Sequence, residues 1–558
     1  MRIRVLCIVS LGCLSGMAFA ATGELMWGES NSLLQQYQSI PLHRPSLLTP
    51  LKSMADSPYQ LRLQSTAPQH ARYQILFKGL PVWGYQLIFH QKDNQPVWVS
   101  GMNVRGLEET IKTSKGLLSA QQLRKRVLAK VKGPVKWFHH QKVIYLDNQQ
   151  QAHLAYHMAY YTHAPDHALR APEMLVDANT GLVLKAWDAV HREQWGQGLG
   201  GNAFPLPYRP GSFQHGDALP GLPSLGKFEV RVNDGRCYVE SDSLRVINMA
   251  NLPLGYEAFP ISTEDEKTYE LTAFSYACDP SSYYLNYNDA NTGPVNYSFS
   301  PVNDAMYFAT QTLAMYEKKY QQRNPLGRDL PLRVYTHLSE MDNAFAIPTV
   351  SLDGRLMAHQ QIIIGNGHQF LTAPAQTVIA HELSHNFTAL HAALVYEGQS
   401  GAINEAFSDM AAIALQDYIR QSYPWYWDGL DWTIGREAVL GGAPLRYMDE
   451  PSKDGMSIEH AREYTDDLDV HLSSGVYNKA FYLLANKPGW TVQKAFQVMI
   501  DANRFYWSPI AYYDFAACGV IQAARDRQWD TAAVREAFAE VGVLCPVLPK
   551  PDAQGKRA

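Results

Sequence analysis

The sequence predicts an α+β protein of two unlike halves, β-rich at first and mainly helical afterwards. Three observations predict it. Short runs of β-branched and aromatic residues, separated by turn residues such as Gly79-Leu80-Pro81 and Asp177-Ala178-Asn179-Thr180-Gly181, fill 73–89 and 152–184. Further short strand-like runs at 228–232 and 332–336 flank one helical pattern at 304–320. At 377–388 and again at 401–415, apolar residues recur at helical spacing. At 558 residues, 46% of them hydrophobic, the chain is long enough for several domains, each with its own core. A net charge of -5 leaves no basic footprint, so nucleic acid is not an expected partner.

Residues 1–20 join a basic start (Arg2, Arg4) to an apolar stretch at 5–14 and to Ala18-Phe19-Ala20, the layout of a secretory signal peptide. The apolar stretch is too short to span a bilayer, and no other segment approaches a span. Export is therefore expected. Cys7 and Cys13 lie inside this leader, leaving Cys237, Cys278, Cys518 and Cys545. Four cysteines in an oxidising compartment suggest two disulfides in one of three pairings, and proximity favours Cys237–Cys278 and Cys518–Cys545.

Residues 21–195 read as a separate α+β unit. Its strand runs are interrupted by Ser119 and Gln122, a capping box that opens a basic helix reaching about Lys130. No chemical constellation appears there. The Gly-rich stretch at 190–202 suits an exposed processing site. Residues 196–370 form the expected β-rich lobe and 371–546 the helical lobe, with 547–558 a tail.

The chemistry is concentrated at His381-Glu382-Leu383-Ser384-His385. Four residues apart on a helix, His381 and His385 share a face and can bind one zinc ion, with Glu382 placed as a general base. Gly401-Ala402-Ile403-Asn404-Glu405-Ala406-Phe407-Ser408-Asp409 opens a second helical run. Glu405, twenty residues beyond His385, can complete a His₂Glu site with one position open for water. Asn404 and Asp409 are candidates to orient the ligand histidines.

This pair of motifs resembles the thermolysin family, and the similarity continues through 443–455 and 469–481. More loosely, Gly79-Leu80-Pro81-Val82-Trp83-Gly84 resembles the propeptide motif of fungalysin- and thermolysin-like proteases, and 176–184 resembles the end of a PepSY module. The resemblance implies a two-lobed catalytic domain with zinc between the lobes, preceded by a propeptide that acts as intramolecular chaperone and inhibitor. It implies a secreted, monomeric endopeptidase acting on proteins or peptides. Zinc falls on His381, His385 and Glu405, and Glu382 is the base. Tyr396 and His471 match the residues that bind the developing oxyanion. Asp466 and Asp469 both stand where relatives place the acid that orients this histidine. Arg446 matches a contact to the substrate backbone, Asn343 and Ala344 the edge segment that pairs with substrate, and Val378 and Leu445 the S1′ pocket, which implies a bulky apolar residue after the cut.

Two departures stand out. Thr377, Ile413 and Gln416 occupy positions where the family usually has calcium-binding acids, so that hard-oxygen site looks lost. After Asn343-Ala344 the chain has Phe345-Ala346-Ile347-Pro348 and a longer insert through His368, which leaves the non-primed subsites open. A protease of narrow specificity, or a catalytically weak binding protein on the same fold, are the alternatives.

Overall fold

The computed structural model describes residues 22–28, most of 51–192 and most of 228–546. The expected leader at 1–20, residues 193–227, Cys278 and the expected tail at 547–558 lie outside the described residues.

The amino-terminal region is built on β1 (Tyr59–Ala67), β2 (His70–Phe77), β3 (Leu80–Lys92), β4 (Gln95–Arg105), β5 (Trp137–Leu146), β6 (Ala152–His163), β7 (Pro172–Asp177) and β8 (Val183–Asp188). Seven of these run in the order β8-β7-β6-β5-β3-β2-β1, and β4 pairs with β3 off that path. Two antiparallel meanders meet where Val82 of β3 pairs in parallel with Ile144 of β5. Gly79 sits at φ 79° in the tight turn between β2 and β3, a conformation that costs glycine little. One helix, α1 (Ala120–Leu128), starts at the predicted Ser119–Gln122 capping box. It lays Leu123 and Val127 against Leu154, Met158, Met174 and Val176 of the sheet.

The β-rich lobe has a five-stranded sheet containing β9 (His191–Arg192), β10 (Leu244–Asn248), β11 (Leu332–Leu338), β12 (Ala344–Ile347) and β13 (Gln361–Gly365), in the order β9-β12-β13-β11-β10. Gln361-Ile362-Ile363-Ile364-Gly365 is buried throughout, as a central strand covered on both faces should be. The 18-residue helix α2 (Pro301–Lys318) covers one face. Phe259, Tyr335, Phe345 and Ile363 fill the other, where Tyr161 and Ala171 of the amino-terminal region join the same cluster. The insert after β12 contains a two-stranded hairpin, Val350–Leu352 against Arg355–Ala358.

The helical lobe contains α3 (Gln376–Leu390), α4 (Gly398–Ser422), α5 (Val470–Ser473), α6 (Gly475–Ala485), α7 (Val492–Phe505), α8 (Tyr513–Asp526) and α9 (Thr531–Glu540). Every α3 residue from Gln376 to Thr388 is buried, so the helix runs through the lobe rather than over it. Small residues on α4, Gly401, Ala402, Ala406, Ala411 and Ala412, allow close packing. A Cβ at Gly401 would meet Val470 at 2.5 Å, so glycine lets α5 approach. Cys518 on α8 is bonded to Cys545, as expected. Cys237 is also disulfide-bonded, and its expected partner Cys278 lies outside the described residues. No helix among the described residues is long and apolar enough to cross a membrane.

Candidate active site

The crossing of α3 and α4 brings the predicted ligands together. The ligand atoms of His381, His385 and Glu405 lie within 4.8 Å of one another, all three residues buried. Each ring Nε2 is 3.3 Å from a Glu405 carboxylate oxygen, and the two Nε2 atoms are 2.9 Å apart. Tetrahedral ligands at 2.0–2.1 Å from zinc stand about 3.3 Å apart, so the set fits that ion. The other ring nitrogens are occupied: His381 Nδ1 lies 2.8 Å from Asp409 Oδ1, and His385 Nδ1 3.0 Å from Asn404 Oδ1. These bonds fix both rings with Nε2 turned toward the metal position.

Asp409 is the hub of a buried network. Arg446 donates to it through Nε at 2.8 Å and Nη2 at 2.7 Å, and Asn478 through Nδ2 at 2.8 Å. Burial would raise the Asp409 carboxyl, but Arg446 and His381 outweigh it and hold it down at about 2. Glu405 follows the same logic. Burial opposes its charge, while His471, His385 and His381 keep its carboxyl well below the usual range.

Beside Glu405, the Tyr396 hydroxyl donates to Glu405 Oε1 at 2.5 Å and lies 3.0 Å from His471 Nε2. Asp469 caps α5 by accepting the His471 N–H at 2.9 Å and also holds His471 Nδ1 at 2.6 Å. Burial lowers the His471 imidazole, but Glu405 and Asp469 prevail and raise it. Asp466, the other candidate acid, is bonded to the Tyr464 side chain instead. Of the two acids, only Asp469 has a hydrogen bond to His471 among those described.

Glu382 is buried beside its ligand neighbour on α3, and Val378 lies one turn earlier, also buried. Leu445 is partly buried and precedes Arg446. Asn343 Oδ1 accepts the Ala344 N–H at 2.8 Å where β12 begins. The three positions expected to have lost calcium are engaged in other ways. Thr377 Oγ1 accepts the Gly435 N–H at 3.0 Å, Ile413 is buried, and Gln416 bonds Asp431 at 3.2 and 3.3 Å. Sequence reasoning missed Asn478, and also Ser408, whose hydroxyl lies 3.2 Å from His385 Nδ1. Both stand in motif runs, but nothing in their spacing points to these contacts.

Comparison with known proteins agrees with this geometry. Residues 224–389 match the family described as thermolysin metallopeptidase, catalytic domain, and residues 392–543 match its alpha-helical domain. The chain is 35% identical to the hemagglutinin/proteinase of Vibrio cholerae over 491 residues, 86% of this chain and 72% of that protein. It is 33% identical to the neutral protease of Vibrio proteolyticus, with the same shares covered. To the zinc metalloproteinase MspA of Legionella longbeachae it is 32% identical, over 85% of this chain and 86% of that protein. Matches of this extent, around a His₂Glu site at the crossing of two buried helices, make the chain a member of the thermolysin family of zinc metalloproteases.

Proposed function

We propose that the chain is a secreted endopeptidase made as a zymogen, with Glu382 as the general base of peptide-bond hydrolysis. The observation that carries this is the convergence of His381, His385 and Glu405, ring orientations fixed, with Glu382 on the helix of the two histidines and Tyr396 and His471 beside Glu405. Zinc held there supplies a Lewis acid and lowers the pKa of its bound water. Glu382 takes the proton of the attacking water and returns it to the leaving amine. Tyr396 and His471 donate to the oxygen on which charge develops, favouring the transition state over bound substrate. Asp469 keeps His471 protonated at Nδ1 and aimed at the cleft. Arg446, held by Asp409, presents its guanidinium to the substrate backbone. Val378 and Leu445 give the site its preference for a bulky apolar residue after the cut. Asn343 and Ala344 start the edge on which substrate pairs.

The amino-terminal region supports the zymogen reading, because its last strand, β9, occupies that same edge, His191 opposite Ala346 and Arg192 opposite Phe345. The leader-like layout of residues 1–20 supports export. Glu382→Gln tests the core of the proposal. We expect loss of hydrolysis of an unstructured protein substrate with one zinc per chain retained; undiminished activity would refute it. The hairpin at 350–358, next to β12, favours a narrow choice on the non-primed side, which cleavage of a peptide library would reveal.

A further inference from the structure

A cluster of imidazoles and guanidiniums closes the contact between the amino-terminal region and the helical lobe. From β2, the His70 ring stacks on Phe505 at 4.1 Å and 11°. It also meets the edge of His90 at 4.9 Å and Tyr506 at 6.0 Å. From β3, the His90 ring stacks on Tyr506 at 4.9 Å and 14°, its Nε2 2.8 Å from Ser100 Oγ on β4. Between them Arg72 is buried, donating through Nη1 to Gln86 Oε1 at 3.0 Å and Trp507 O at 2.9 Å, and through Nη2 to Arg504 O at 3.2 Å. The guanidinium thus satisfies carbonyls at the C-terminal end of α7, where the helix dipole favours a cation.

We propose that this cluster is a pH-sensitive clasp that holds the amino-terminal region on the helical lobe at neutral and alkaline pH and lets go as the medium acidifies. The inference deepens the zymogen reading and rests on it for its biological sense, though not for its geometry. The helical lobe answers the imidazoles with further cations. Arg504, with its guanidinium 4.5 Å from the Phe505 ring centre, acts on His70 and on His391, just beyond α3. The acids of this face are committed elsewhere. Asp501 binds Arg527 and Gln497, and Asp526 accepts from the Tyr506 hydroxyl and from Gln522. A proton added to His70 or His90 therefore arrives beside Arg72 and Arg504.

Burial, then the charges of Arg504 and Arg72, lower His70 to about 4. Burial, His70 and Arg72 drive His90 well below its ordinary value. A base whose pKa is depressed only while docked contributes full docking strength above its free value, near 6.5, and loses it as pH falls toward the docked value. For His70 alone this makes docking roughly ten-fold weaker at about pH 5.5 than at about pH 8, and His90 acts in the same direction.

The test uses full-length, zinc-loaded Glu382→Gln protein, so that the chain stays uncleaved, and amide hydrogen exchange corrected for its intrinsic pH dependence. Peptides covering β2, β3 and 503–507 should lose about ten-fold or more protection between about pH 8 and pH 5.5, while α9 keeps its protection. The added substitution His70→Gln should shrink that loss, and His70→Gln with His90→Gln should remove most of it. Unchanged protection at acid pH, or equal loss with and without the two histidines, overturns the clasp. If the double variant does not fold, the single His70→Gln at its partly exposed position decides by the same comparison. Activity is not read, so failure here is separate from failure of the Glu382 mechanism.

Discussion

At the scale of single residues, the active site is a set of buried charges that are tolerable only because each is paired. Asp409 takes hydrogen bonds from Arg446, Asn478 and His381 at 2.7–2.8 Å, and an unpaired buried carboxylate would be costly. The two candidate acids near His471 differ in their partners: Asp469 holds His471 Nδ1 and Asp466 bonds Tyr464. Asp469→Asn should lower kcat/KM by about ten-fold or more, less than the roughly 10²–10³ expected for deleting an oxyanion donor outright with His471→Ala. Asp466→Asn should leave it near the parent value, since Asp466 bonds Tyr464. Equal losses in steady-state assays of the two Asp variants would mean that Asp469 has no special role. The pairing of His381 with His385 was legible in the sequence because the helical period forces residues four apart onto one face. The choice between Asp466 and Asp469 was not, because it depends on where α5 starts. Asp469 is the cap residue of that helix, which brings its carboxylate back over His471. Asn478 was illegible for a different reason: its contact joins α6 to α4 across 69 positions.

At the scale of elements, periodicity and turn residues located α1 with its capping box, α2, α3 nearly to its ends and the start of α4, but not α5 to α9. Sequence pattern could not say how the segment at 431–435 is attached to α3 and α4. There, neutral side chains make direct bonds. Thr377 on α3 accepts the Gly435 N–H, and Gln416 on α4 both accepts from the Asp431 N–H and donates to its carboxylate. Asp431 in turn accepts the Thr433 N–H at 3.1 Å, which closes a small network. Asp417, the nearest acid on α4, is engaged by Arg420 and Gln421. Such an attachment needs no ion. A calcium-selective chelator is therefore expected to leave Tm unchanged, whereas Gln416→Ala, which strands the Asp431 groups, should cost about 1–3 kcal/mol in denaturant unfolding. A large chelator-induced drop in Tm, with Gln416→Ala neutral, would point to calcium doing this work.

At the scale of the whole molecule, the amino-terminal region touches both lobes. Tyr161 and Ala171 share a core cluster with Phe259 and Phe345 of the β-rich lobe, and Ile510 of the helical lobe packs into the core of the amino-terminal sheet. Lys185 of β8 pairs with Glu397 at 2.8 Å, one residue from Tyr396, and Val395 packs with Trp83 and Trp187. These anchors hold the sheet so that β9 arrives on β12 as a short added strand. A strand of two residues is weak by itself, so its hold on the edge depends on the ladder bonds and on the anchors behind it. Proline cannot donate to a ladder, and only one of two adjacent residues in an antiparallel pair turns its N–H to the partner strand, so at roughly 0.5–1.5 kcal/mol per bond replacing His191 and Arg192 with proline should free the edge about two- to ten-fold more often. The double-proline chain, assayed before any processing, should hydrolyse a short chromogenic peptide correspondingly faster than the uncleaved parent. If the two uncleaved chains turn over the peptide at the same rate, β9 is a bystander and any block on the cleft is imposed by the anchors alone.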